Sequence, residues 1–258
     1  MSLVKGNLKM KKRRVSSRLL VLALAIYGGV GAAQAGISLD RTRMIITGSS
    51  ESASANLSNT SPDVPFLAQS WVEDASGKHI TSPLLVLPAL QRINGGQKGV
   101  IRVTKTAGIN ALPQDRETLF YLNVREIPPK PKKANVLQLS MQSRIKLFYR
   151  PTAAIPASRD AVWQNQVSFH KQGKTFVATN PTPYFITIIG LSRKPVEKGG
   201  EPITTFPGVM IAPKSTLDIP VTDGSVSDFM MMYVNDYGGH PEIHYRCSGA
   251  QCSAVAAS

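Results

Sequence analysis

Short apolar runs separated by turn residues recur along this chain from residue 37 onward, and no stretch there keeps a period of 3.6 residues for three helical turns. Runs of this kind, bounded by Gly, Pro, Asn, Asp and Ser, are typical of strands in antiparallel β-sandwiches. The first half contains seven runs, at 37–46, 52–57, 66–72, 84–87, 100–103, 119–127 and 136–149. Seven strands in a stretch of this length predict an immunoglobulin-like sandwich.

Residues 150–158 interrupt this pattern. Pro151 and Pro156 stand there among small residues, a composition typical of a linker. A second series of seven runs follows, at 167–170, 175–179, 184–189, 209–211, 215–219, 230–234 and 243–245. We therefore predict an all-β chain with two immunoglobulin-like β-sandwich domains in tandem, residues 36–155 and residues 156–258.

The N-terminal 35 residues have the composition of a secretory signal peptide. Basic residues at 11–14 precede an apolar run at 19–26, and Ala33-Gln34-Ala35 offers a cleavage site of the A-x-A type. The apolar run is short for a bilayer span, and the ordered flanks argue against a buried core helix. We predict cleavage after Ala35, export, and no membrane span in the mature chain.

The charge of the chain changes once this segment is set aside. The formal net charge is +14, but residues 1–35 contain seven basic residues and no acidic ones, so the remaining chain carries +7. No recognisable DNA- or RNA-binding motif accompanies the excess. The sequence therefore argues against a nucleic-acid partner and favours a protein or a carboxylate as the ligand of the basic surface.

The cysteines and histidines are too few and too scattered for a metal centre. Cys247 and Cys252 flank a loop that contains a glycine, and in an oxidising compartment this spacing predicts a disulfide rather than a C-x-x-C redox pair. The motifs of hydrolases, metalloproteases and nucleotide-binding enzymes are absent from the sequence. We therefore expect no enzymatic activity, no catalytic residue, no metal site and no cofactor.

Residues 136–149 form the longest alternating run. Leu137, Leu139 and Met141 share one parity with later apolar residues, whereas most strands are 3–10 residues long. One interpretation is an ordinary long strand with its apolar face in the core. The other is an edge strand whose apolar side chains are offered to another protein, since an exposed edge is otherwise an aggregation hazard. The basic, proline-rich residues 128–133 precede it.

Seven stretches distributed over nearly the whole mature length resemble one family. They are SLDRTR (38–43), LAQSW (67–71), LPQDRE (112–117), REIPP (125–129), IKLFYRP (145–151), NPTPY (180–184) and NDYGG (235–239). On these stretches the chain is identified as a PapD-type periplasmic chaperone of the chaperone–usher pilus pathway. The lack of cysteine in residues 128–133 and the short length of that loop are similar to the short-loop branch of the family.

The resemblance implies a boomerang of two immunoglobulin-like domains around a cleft. It implies that Arg43 and Lys146 hold the C-terminal carboxylate of a pilus subunit, and that Leu137, Leu139 and Met141 enter the groove of a subunit that lacks its last strand. It further implies delivery of the subunit to an outer-membrane usher and location in the periplasm. The sequence leaves open whether the free chaperone covers its own exposed edge by forming a homodimer.

The same resemblance assigns interdomain ion pairs to Glu117, Arg150 and Asp236, although three unrelated surface charges remain the alternative. One departure is Pro88-Ala89, where the family can have paired prolines. Two other functions compete with this interpretation, an enzyme and a pilus subunit or adhesin, and the absence of catalytic motifs argues against the first. A subunit is disfavoured because the first predicted strand begins within two residues of the predicted cleavage site, which leaves no N-terminal donor extension.

Overall fold

The computed structural model describes residues 36–256 with the exception of Lys132, Ala134 and Arg159. The predicted signal peptide, residues 1–35, lies outside the described residues. All described residues belong to one compact unit. No helix in this part of the chain has the length and the apolar character that a bilayer crossing requires.

The described residues are organised almost entirely as strands. These are β1 (Ile37–Leu39), β2 (Arg43–Thr47), β3 (Ser52–Asn59), β4 (Phe66–Asp74), β5 (His79–Ile80), β6 (Leu84–Leu87), β7 (Leu90–Ile93), β8 (Lys98–Lys105), β9 (Thr118–Ile127), β10 (Gln142–Arg150), β11 (Ser168–Gln172), β12 (Thr175–Asn180), β13 (Ile186–Ser192), β14 (Val209–Ile211), β15 (Ser215–Pro220), β16 (Asp228–Val234), β17 (Glu242–Ser248) and β18 (Gln251–Ala254). Short 3-10 helices cover Ala107–Ala111, Thr152–Ala154, Trp163–Gln166 and Val196–Lys198.

The first domain is a sandwich of two sheets. One sheet has the strand order β1-β3-β8-β6, and the other has the order β2-β10-β9-β4-β5 with β7 also paired to β4. Alternate residues of each strand point inward, so Leu57 and Ile101 of one sheet share a buried core with Met44, Leu122 and Leu147 of the other. This is the inward and outward alternation that a two-sheet core requires.

The second domain is built from strands in the continuous order β14-β13-β16-β17-β18-β11-β12-β15. Its core contains a cluster of aromatic rings, and the ring of Phe229 lies 5.3 Å, centroid to centroid, from the rings of both Phe169 and Tyr245. Cys247 and Cys252 are register partners across the β17–β18 hairpin and are joined by a disulfide. The predicted all-β fold with two immunoglobulin-like domains is thus confirmed.

The first predicted run, residues 37–46, is wrong as a single strand. The chain forms β1 in one sheet and β2 in the other, and it crosses between the sheets at residues 40–42. Asp40 marks the crossing, because its amide still bonds the Asn56 carbonyl of β3 and its carboxylate bonds the side chains of Arg41 and Asn56. A strand that switches sheets at such a corner is a common device in β-sandwiches.

The longest predicted strand, residues 136–149, is also too long. β10 begins only at Gln142, and residues 136–141 are described as irregular, exposed chain. The periodicity of the sequence is real, but the sandwich has no surface against which the upstream apolar side chains are packed. Neither the ordinary long strand nor a preformed edge strand therefore describes this segment; its apolar side chains are exposed on chain without strand structure.

Candidate functional site

Arg43 and Lys146 lie opposite each other at the point where two strands of the first domain meet. β2 runs parallel to β10, and the first pair of their register joins Arg43 to Lys146. Both side chains are half-buried. Two cations are thereby placed side by side at the open end of a parallel ladder.

The second domain supplies a polar partner to each of these cations. The ammonium group of Lys146 donates to Thr187 Oγ1 at 3.3 Å, and Arg43 Nη1 donates to the carbonyl oxygen of Val234 at 3.2 Å. Thr187 and Val234 are themselves register partners between β13 and β16. A cross-strand pair of one domain therefore faces a cross-strand pair of the other.

The cation pair is electrostatically unbalanced. Burial, together with the charge of Arg43, lowers the pKa of Lys146 below its ordinary value of 10.5. Burial likewise lowers the pKa of Arg43, against the opposing charges of Asp236 and Glu117, and Arg43 Nε is buried without a hydrogen-bond partner among the described residues. Among the described residues neither cation forms a direct ion pair, and desolvated cations in this situation favour the binding of an anion.

The cation pair lines a cleft between the domains. Its wall also includes Thr42 and Ile145 from the first domain and Met210 and His240 from the second. No cluster of His, Cys, Asp and Glu suited to a metal ion occurs among the described residues. The cleft offers positive charge and hydrogen-bond donors, which suit a carboxylate.

A network around Arg150 joins the two domains behind the cleft. Arg150 donates to Asp236 of the second domain through bonds of 2.7 and 3.0 Å, and its Nε donates to Glu117 Oε1 at 2.8 Å. The second oxygen of Glu117 accepts the Phe185 amide at 2.8 Å. The guanidinium also lies over the rings of Trp163 and Tyr184.

The charges of this network are coupled. Burial lowers the pKa of Arg150, but the hydrogen bonds and charges of Asp236 and Glu117 outweigh it, so the pKa lies above its ordinary value. Burial raises the pKa of the Glu117 carboxyl, while the charge of Arg150 and the Phe185 amide oppose that rise. Arg150 and Glu117 are both buried, so each depends on the other for compensation.

Residues 136–141, which we call the donor segment, expose a row of apolar side chains next to the cleft strand β10. Leu137 is 85% exposed, Leu139 70% and Met141 55%. On the β2 side of β10 the ladder begins only at Lys146, so residues 142–145 have a described strand neighbour only in β9. Exposed large apolar side chains beside an unpaired strand edge mark an interaction surface.

Sequence reasoning missed Thr187 and Val234, and it also missed Glu126, whose carboxylate accepts the backbone amides of Ile37 and Met141. The hydroxyl of Thr187 interrupts the apolar run 184–189, and Glu126 is an acidic residue within the apolar run 119–127. A polar side chain in a buried strand was the available signal. It did not reveal the partners, because these lie in another domain or another segment.

Two family models match this chain. The model described as pili and flagellar-assembly chaperone, PapD N-terminal domain, matches residues 36–154, and the PapD C-terminal domain model matches residues 162–245. The chain belongs to the PapD family of pilus-assembly chaperones. Membership of this family makes it a chaperone of pilus subunits in the chaperone–usher pathway and not an enzyme, and it removes the alternative of a subunit or adhesin.

Individual relatives agree with this assignment. The chain is 61% identical to the chaperone protein PmfD of Proteus mirabilis over 91% of each chain. It is 41% identical to the chaperone protein PapD of Escherichia coli over 93% of this chain and 98% of that one. A chain from the complex of the Salmonella enterica SafA pilin with the SafB chaperone is similar over 84% of this chain and 99% of its own, with a TM-score of 0.70 and 27% identity.

Proposed function

We propose that this chaperone captures an incomplete pilus subunit by two contacts, one polar and one apolar. Arg43 and Lys146 bind the C-terminal carboxylate of the subunit, and the donor segment inserts Leu137, Leu139 and Met141 into its open groove. The observation that carries the proposal is the register pair of Arg43 and Lys146, two half-buried cations beside an unpaired stretch of β10.

The positive charge of Arg43 and Lys146 selects the direction of the guest strand, by which we mean the C-terminal strand of the bound subunit. β2 runs parallel to β10 and begins at Arg43, so the edge of β10 upstream of Lys146 is free for a strand in line with β2. A guest strand parallel to β10 ends with its carboxylate at the cations. An antiparallel guest would bring its ammonium terminus to two positive charges, which is unfavourable.

Burial of the donor side chains supplies the apolar part of the binding energy. A fully buried Leu or Met contributes about 1.5–3 kcal/mol, so three contribute roughly 4.5–9 kcal/mol before the costs of ordering. The anchored carboxylate fixes the register, because a slip of one residue would turn the opposite parity of the segment into the groove.

The same proposal covers the cellular route. Residues 1–35 direct the chain to the periplasm, the captured subunit is passed to an outer-membrane usher, and a homodimer covers the donor segment while no subunit is bound. Support comes from the signal-like composition of residues 1–35, the family membership and the exposure of Leu137 and Leu139.

A pair of synthetic peptides tests the anchor. A labelled peptide of alternating valine and threonine with a free C-terminal carboxylate is compared with its amidated copy by fluorescence anisotropy. We expect the wild type to prefer the carboxylate form by about tenfold or more, since charge-assisted hydrogen bonds contribute roughly 1.5–3 kcal/mol. Arg43→Met and Lys146→Met should each reduce the preference. Lys98→Met, at an exposed position of β8, should not. Equal binding of both peptides by the wild type would contradict the proposal.

A further inference from the structure

Glu126 is a buried carboxylate that the capture mechanism above does not use. We propose that it is a positioning residue, which ties the start of β1 and the base of the donor segment to one side chain. Its effect on capture rests on the proposed function, whereas its effect on the free protein does not.

Each oxygen of Glu126 accepts a backbone amide from a different part of the chain. Oε2 accepts the amide of Ile37 at 2.8 Å, and Oε1 accepts the amide of Met141 at 3.2 Å. Ile37 is the first residue of β1, and Met141 is the last residue of the donor segment. Two segments more than a hundred residues apart in the sequence therefore share one anchor, which lies on β9.

The same contacts explain why β10 begins only at Gln142. The amide of Glu126 donates to the carbonyl oxygen of Met141 at 3.0 Å, as in an antiparallel hydrogen-bonded pair. The return bond, from the Met141 amide to the Glu126 carbonyl, is replaced by the bond to Oε1. The hydroxyl of Ser140 donates to the carbonyl oxygen of Glu126 instead. Side chains thus end the β9–β10 ladder at this pair, and the donor segment upstream of it is not paired with β9.

Upstream of Ser140 the donor segment makes few contacts with the described part of its own domain. The Gln138 amide group donates to the carbonyl of Pro129 at 2.6 Å, and Leu137 and Leu139 are the most exposed of the donor side chains. Glu126 therefore marks the last firm attachment of the segment to its own domain. Met141 lies five residues before Lys146, or about 17 Å along an extended strand. Glu126 and the cation pair therefore fix the two ends of the stretch of chain along which a guest strand is aligned.

A carboxylate suits this position because it has two acceptor oxygens and no donor. Glutamine has one acceptor oxygen, and its amide nitrogen would face an N–H donor. Alanine has neither. The attachment of both segments should therefore weaken from glutamate to glutamine to alanine. Glu126→Gln keeps part of the attachment, so it can be measured if Glu126→Ala folds poorly.

Amide hydrogen exchange of the free protein tests the attachment, read by NMR in wild type, Glu126→Gln and Glu126→Ala. In Glu126→Ala we expect the Ile37 and Met141 amides to exchange faster by about tenfold or more, because each loses a charged acceptor. Glu126→Gln should accelerate one of the two amides more than the other, and the β9 amides of Leu122 and Val124 should stay unchanged. The matched control is Glu51→Ala, which removes an exposed carboxylate. Unchanged exchange at both sites, or equal acceleration of all amides, would overturn the inference.

Peptide binding tests the consequence for capture. We expect Glu126→Ala to weaken the carboxylate and amidated peptides by the same factor, about threefold to tenfold, so that the preference for the carboxylate persists. Wild-type affinity for both peptides, or a loss confined to the carboxylate peptide, would refute a positioning role in capture. Absence of the preference in the wild type would instead contradict the cation anchor, and the exchange data would still decide the role of Glu126.

Discussion

The ammonium nitrogen of Lys146 lies 3.3 Å from the hydroxyl oxygen of Thr187, so a side chain of the second domain orients a cation of the first. The bond joins β10 to β13 across the cleft, beside the bond from Arg43 to the carbonyl of Val234. The proposed anion site is therefore formed by the two domains together. Its geometry depends on the angle at which they meet, which the Arg150 network helps to hold.

Replacement of Thr187 by valine tests this dependence. The substitution keeps the shape of the side chain and removes the hydroxyl that orients Lys146. We expect the carboxylate preference in the peptide assay to fall about threefold to tenfold, or ~1 kcal/mol, with little change in binding of the amidated peptide. Thr216→Val, on the exposed face of β15, is the matched control. An unchanged preference would show that the hydroxyl does not orient the ammonium group.

Lys146→Met should make the free protein more stable while it impairs the anchor. Because burial and the charge of Arg43 lower the pKa of Lys146, the unfolded chain binds this proton more tightly than the folded protein. The unfolding free energy therefore rises as the pH increases from the lowered pKa toward 10.5. Below the lowered pKa, where the Lys146 side chain is charged in the folded protein, methionine removes the penalty.

Calorimetry across this pH range checks the prediction. We expect a higher melting temperature for Lys146→Met than for wild type at neutral pH, and a difference that shrinks as the pH rises through the pKa of folded Lys146. Lys98→Met should melt like the wild type throughout. A variant that is less stable than wild type at neutral pH would mean that Lys146 stabilises the empty cleft.

Arg150→Met should destabilise the protein far more than the same change at a neighbouring surface arginine. Removal of the guanidinium leaves Glu117 buried without its cation, a change that costs about 3–5 kcal/mol. Arg116→Met breaks only the exposed pair with Asp115 and should cost less than about 1 kcal/mol. Chemical denaturation measures both. Adding Glu117→Gln to Arg150→Met should restore part of the loss, and a double variant no more stable than Arg150→Met would argue against this account.

Leu137→Ser and Leu139→Ser should each weaken capture strongly without harming the fold. Both side chains are exposed in the free protein, so we expect changes in unfolding free energy within about 0.5 kcal/mol. Because each variant removes one leucine side chain from the groove of the subunit, each should weaken capture by roughly tenfold or more. Co-purification of coexpressed pilus subunit from the periplasm measures capture, with Val100→Ser, at an exposed position of β8, as the control. Normal yields of subunit with both leucine variants would argue against the donor segment.

The sequence by itself determined the fold class, the division into two sandwiches and the pairing of Cys247 with Cys252. These follow from local information, because alternation fixes which residues face a core and a short loop limits which cysteines can meet. The resemblance of its motifs was enough to select Arg43 and Lys146 as candidate anchors. Nothing in the spacing of these two residues indicated that they are opposite each other.

The tertiary structure alone decided where the strands end and what surrounds the cations. The run at 136–149 alternates throughout, yet β10 begins only at Gln142, where Glu126 and Ser140 take over the hydrogen bonds of the ladder. Thr187 reaches Lys146 only because β13 of the second domain packs across the cleft. Periodicity records which face of a strand is apolar. It does not record which distant side chain satisfies an amide or an ammonium group, since that depends on how separate segments meet in space.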